Sequence, residues 1–125
     1  MKNRIFLVLL LGGHLAWADA LNDCSSASDN IQETTSCLKD RQEHAEGFLK
    51  EQEQRMYMQM RSLDKVTGSR FNAAQAQREA GRAWAQYIDK QCKWVAASYA
   101  SGNGGDLASL ACRIDLMEYR ANQIS

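Results

Sequence analysis

The apolar residues of this chain recur every three or four positions, and nowhere in an alternating run, which restricts it to helices. Asn30 and Glu33 have the spacing of a capping box, so a first long helix is expected to start there. Ile31, Thr34, Leu38, Ala45, Phe48, Leu49, Met56, Met60 and Leu63 then form a core-facing stripe, interrupted by Gln42 and Gln52 and weakened at Gly47. Gly68, in Val66-Thr67-Gly68-Ser69, is placed as its C-terminal cap. A second helix opens near Phe71-Asn72 and is rich in alanine, the best helix former, at Ala73, Ala74, Ala76, Ala80 and Ala83. The run Ser101-Gly102-Asn103-Gly104-Gly105-Asp106 breaks it. A third helix from about Asp106 carries Leu107, Leu110, Ile114, Met117, Ala121 and Ile124 at helical spacing. The sequence has no proline. These features predict an all-α fold, a three-helix bundle in up-down-up order, preceded by an extended, Ser-rich lead-in over Asp23 to Asp29.

The second helix contains the densest stretch, Arg82 to Cys92. Trp84, Tyr87 and Ile88 fall at i, i+3 and i+4, and Val95 continues the row, so they are expected to share one packed face. Arg82 and Asp89, seven positions apart, are each expected to form an ion pair with a neighbouring helix.

Residues 1–18 read as an export signal. Lys2 and Arg4 precede the apolar run Ile5 to Leu11, and Ala16-Trp17-Ala18 is a small-x-small cleavage site before Asp19. Ala18-Asp19-Ala20 offers a second site. The apolar run falls well short of the ~20 residues of a membrane span, and no cysteine follows the cleavage site to carry a lipid. The mature domain is then 19–125, in a periplasmic or secreted setting. It carries 13 basic and 15 acidic residues once Lys2 and Arg4 are removed, a net charge of −2 with no strong field to recruit nucleic acid or membrane. The charge is uneven: Asp23 to Glu53 holds 8 acidic and 3 basic residues, and Gln54 to Ser125 holds 6 and 10.

Four cysteines, Cys24, Cys37, Cys92 and Cys112, remain in this small exported domain and read as two disulfides. The gaps of 13, 55 and 20 residues contain no C-x-x-C, and His44 is the only histidine of the mature chain, so the pattern does not describe a zinc site. A turn between the second and third helices near Asn103 brings Cys112 opposite residue 94, within one turn of Cys92. The favoured pairs are therefore Cys92–Cys112 and Cys24–Cys37, with the other two pairings still open because all four cysteines lie toward one end of the bundle.

No catalytic constellation emerges. His44 lies between Glu43 and Glu46, in the setting of a solvated side chain. The Gly-rich loop lacks the lysine and preceding strand of a phosphate cradle. Met56 and Met60 read as core, with Met58 pointing elsewhere, and no metal or cofactor is expected. The expected activity is binding. The tip of the Gly-rich loop, with Trp94, Tyr99, Asn103 and Asp106, is one candidate surface, although Trp94 could instead cover the hairpin disulfide.

Taken in order, several residues resemble a known family. Asp23-Cys24 followed by Glu33 and Cys37 is similar to its opening motif. Arg82-Ala83-Trp84, Tyr87, Asp89 and Cys92 resemble its central Q-R-x-W-x-x-Y-R-D-x-x-C signature, with Gly81 and Ile88 departing from it. Cys112 and Arg120 match its closing C-x7-R element. The family is the lysozyme inhibitor LprI-like N-terminal domain, small exported bacterial helical domains. The resemblance implies a structural role for Arg82, Trp84, Tyr87, Asp89 and Arg120. It also implies a protein partner, a lysozyme of the c type, inhibited by occlusion of its carboxylate-bearing cleft. Such lysozymes are generally basic, so the acidic face carrying Asp29, Glu33, Asp40 and Glu43 is expected to steer the encounter. A disulfide-stapled envelope module with a different partner is the alternative.

Overall fold

A computed structural model describes residues 19–125 except 101 and 103. The segment read as an export signal and Asn103 lie outside the described residues. Four helices follow one another: α1 (Asp19–Ser26), α2 (Ile31–Thr67), α3 (Ala73–Ser98) and α4 (Gly105–Gln123). The described residues contain no strand.

The count of three helices is thereby corrected to four. The Ser-rich lead-in is helical through Ser26, because Ala20 and Cys24, one turn apart, are both fully buried and give it a face to pack. The serines do not oppose this. Ser25 and Ser28 donate their hydroxyls to the carbonyls of Leu21 and Cys24, four residues back. The Ala20 N–H donates to Asp115 Oδ1 of α4 at 3.0 Å, which fixes the start of α1 against the core.

A capping box forms at α2 with its return bond shifted to the residue before the cap. Asn30 Oδ1 accepts from the Glu33 N–H at 2.9 Å, and a Glu33 carboxylate oxygen accepts from the Asp29 N–H at 2.8 Å. At the other end Gly68 adopts φ +62°, left-handed as a C-terminal cap requires, and Ser69 follows it at φ +60°. Asn72 does not cap α3 with its side chain. Asp64, on the preceding helix, does so instead: its two carboxylate oxygens accept from the Ala73 and Ala74 N–H groups at 2.8 and 3.1 Å. One carboxylate thus closes the hairpin and neutralises the positive end of α3.

The last helix is the interior one. Ten of its residues are buried, among them Ala108, Ala111, Cys112, Ile114, Leu116, Met117 and Ala121. Around them pack Ala20 and Cys24 of α1, Leu38 and Ala45 of α2, and Ile88 and Cys92 of α3. Disulfides join Cys24 to Cys37 and Cys92 to Cys112. The small residues let α4 lie close: a Cβ at Gly105 would stand 3.1 Å from the Ala96 carbonyl oxygen.

The stripe read on the first long helix is buried only in part. Leu38 and Ala45 are in the core, but Ile31, Phe48 and Leu63 are exposed, and Met56 and Met60 are half-buried. The reason is length. At 1.5 Å per residue α2 spans ~55 Å and α4 ~28 Å, so α4 covers only part of the hairpin. From Glu53 to Ala73 no residue is buried. Beyond the level of Glu53 and Gly81, α2 and α3 run on as a two-helix arm.

Candidate protein-binding surface and the motif behind it

The residues of the central and closing motifs meet where the arm leaves the core. Arg120, near the end of α4, donates from Nε to Glu53 Oε1 on α2 at 3.1 Å. Its guanidinium also lies 5.7 Å from the centre of the Trp84 ring on α3. The other Glu53 oxygen accepts from the Gln77 side chain. Trp84 is flanked by Tyr87, edge-on at 5.6 Å, and by Tyr119, tilted at 5.9 Å. One arginine therefore ties all three long helices together at the last level where all three are present.

Gly81 faces this junction. A Cβ there would stand 3.0 Å from a Glu53 carboxylate oxygen. The absence of a side chain at Gly81 thus leaves room for Glu53 and its partners. Asp89 pairs with Arg113 of α4 at 2.7 Å, at the solvent edge. Arg82 makes no ion pair among the described residues and is exposed. It lines a groove of about 500 Å³ together with Tyr57, Arg78, Trp84, Asp89 and Arg113. Tyr87 does not join the packed face: it is exposed, because α4 reaches Trp84 through Tyr119 and leaves Tyr87 outside.

A second tie was not legible in the sequence. Arg41 on α2 holds Glu118 of α4 with two parallel bonds, 2.9 and 2.8 Å, and donates to Asp23 of α1 at 2.7 Å. Its hydrogen bonds to Glu118, and then to Asp23, hold the guanidinium proton more tightly than in a free arginine. Nothing in the spacing of Asp23, Arg41 and Glu118 marks them, since each comes from a different helix.

The exposed candidates cluster at the opposite end from the arm. Counting thirteen residues from Glu53 back to Asp40, and thirteen from Gly81 forward to Trp94, puts these two at one level of the antiparallel pair. Trp94 is 65% exposed, so it stands out of the surface and does not cover the disulfide. Tyr99 is exposed beside Gly104, and Asp106 is exposed in the first turn of α4. Asp29, Glu33, Asp40 and Glu43 are all exposed, with Glu33 also serving the cap. Residues 20–46 carry six acidic and two basic residues, a net of −4, with Asp106 on α4 adding to it and Lys90 and Lys93 beside Trp94 set against it. This end combines a bare indole with a carboxylate-rich surface on a doubly crosslinked frame.

His44 is exposed on α2. Among the described residues no group of three or more His, Cys, Asp or Glu side chains is placed to hold a metal ion, and no helix is long and apolar enough to cross a membrane. In comparisons with known proteins, a family model described as lysozyme inhibitor LprI matches residues 24–124. No curated protein and no solved structure matches the chain.

Proposed function

The chain belongs to the lysozyme inhibitor LprI family, and from that premise we propose that it is an exported inhibitor, cleaved after Ala18, that binds a c-type lysozyme and blocks its substrate cleft. The observation that carries this reading is the acidic, tryptophan-bearing end of a crosslinked bundle. A lysozyme of that type is basic and keeps its catalytic carboxylates in an open cleft. The net −4 of residues 20–46 raises the encounter rate with such a surface, most strongly at low salt. Trp94, already held out in water by a rigid helix, loses little freedom on binding and fills a cavity as an anchor. Inhibition then needs no bond chemistry. The bundle occupies the volume that the cell-wall glycan must enter.

Titration of the purified, oxidised protein into a cell-wall lysis assay tests this. Lysis is expected to stop at a stoichiometric ratio, with a complex seen on a sizing column. Trp94→Ala is expected to weaken inhibition at least tenfold, the effect of losing ~1.4 kcal/mol or more from an interface anchor, with no change in melting temperature. Undiminished lysis at excess protein, with no complex, would dismiss the lysozyme reading in favour of another envelope partner.

A further inference from the structure

The tip of the arm combines exposed apolar side chains with concentrated positive charge. Val66 is 85% exposed and Phe71 67%, with Leu63 beside them on the last turns of α2. Arg61, Lys65 and Arg70 surround these residues in sequence, and the Arg70 guanidinium lies 5.4 Å from the Phe71 ring centre. Residues 54–78 hold five basic residues and one acidic one, a net of +4. That acidic residue is Asp64, whose carboxylate is engaged by the N–H groups of α3. Residues 79–125 balance at five and five, so the positive charge of the chain is gathered on the arm.

The apolar residues are not on a loose loop. Asp64 closes the turn from both sides, since its backbone carbonyl accepts from the Ser69 N–H at 2.7 Å while its carboxylate caps α3. The tip therefore holds Val66 and Phe71 in water as a fixed feature of the fold. The arm projects ~20 Å past the level of Glu53, so a flat surface can meet the tip without touching the bundle. Among surfaces of that shape, one fits the chemistry. An anionic bilayer places phosphates above hydrocarbon, and apolar side chains ringed by cations partition into that boundary.

We propose that the arm tip is a docking site for an anionic phospholipid bilayer, with Val66 and Phe71 entering the interface and Arg61, Lys65 and Arg70 meeting the phosphates. The inference does not depend on lysozyme binding, which uses the other end of the molecule. Docking by the tip leaves the acidic end facing away from the membrane.

Flotation of the oxidised protein with large vesicles tests the proposal. One set contains phosphatidylcholine and phosphatidylglycerol at three to one, the other phosphatidylcholine alone. Three cations at an anionic surface, each contributing about fivefold, give a preference on the order of a hundredfold for the charged vesicles. Lys65→Glu is expected to reduce binding at least fivefold. The double variant Val66→Ser/Phe71→Ser is expected to reduce it at least tenfold, with an unchanged helical spectrum. If the double variant does not fold, Lys65→Glu alone decides. Equal binding to both vesicle types, or full binding by these variants, overturns the proposal. So does a lipid-free dimer on a sizing column that the same substitutions dissolve, which would assign the tip to a second copy of the chain.

Discussion

Arg120 is the place to test whether the arm and the core are coupled as described. Arg120→Met keeps an apolar stem and removes the charge. Breaking a fully buried ion pair by removing one partner costs about 3–5 kcal/mol. The Arg120 side chain is 10% exposed, but that of Glu53 is 24% exposed and keeps Gln77 as a donor, so the lower end applies. Loss of the guanidinium over Trp84 adds about 0.5–1 kcal/mol. The total is about 3–4 kcal/mol, which in a domain of this size lowers the melting temperature by roughly 12–25 °C. Thermal and urea melts followed by circular dichroism at 222 nm, with disulfides intact, would measure it. The double variant Arg120→Met/Glu53→Met leaves no uncompensated charge and is expected to recover most of the loss. A loss below about 1 kcal/mol for the single variant, or simple additivity in the double one, would refute the reasoning.

Asp64→Ala removes the cap of α3 and is expected to cost about 1–2 kcal/mol, read from the shift in urea midpoint at constant slope. Gly81→Ala ordinarily gains up to ~1 kcal/mol in a helix interior. Here it is expected to destabilise, because its Cβ meets Glu53 Oε2, which Gln77 holds while Arg120 holds Oε1, and the usual gain should return in the Gln77→Ala/Arg120→Met background, as paired melts would show. Replacing Cys92 and Cys112 together by Ser is expected to remove ~3 kcal/mol, checked by the same melts against the intact protein.

Much of the fold was legible because helix signals are local. The capping box at Asn30 and Glu33 and the glycine stop at Gly68 lie within a few residues of the boundaries they set. The helix in the lead-in is hidden for the opposite reason: Ala20 and Cys24 carry a helix only because α2 and α4 are there to cover them. Burial along α2 is hidden too, since periodicity gives a face but not how far a neighbour extends along it. The stripe at Met56, Met60 and Leu63 continues past the end of its cover. Motif order pointed to Trp84 and Arg120, but their meeting through Glu53, and the whole Arg41 clamp, depend on which helices become neighbours. Exposure of Trp94 likewise followed from packing and not from its place in the helix.

Placing the interior helix last in the chain has a consequence for how the molecule assembles. The hairpin of α2 and α3 can zip from its Asp64 turn as soon as both strands of helix exist, yet its inner face stays wet until α4 arrives. Each of the first three helices waits for the same late guest, so none has a finished surface of its own. Pairing of Cys24 with Cys37 needs only a neighbour thirteen positions away, whereas Cys92 must wait for Cys112 to come round the turn. Loss of the final turn, which holds Arg120 and Ala121, would release Glu53 and open the core at the base of the arm, while the other eight buried residues of α4 stay in place.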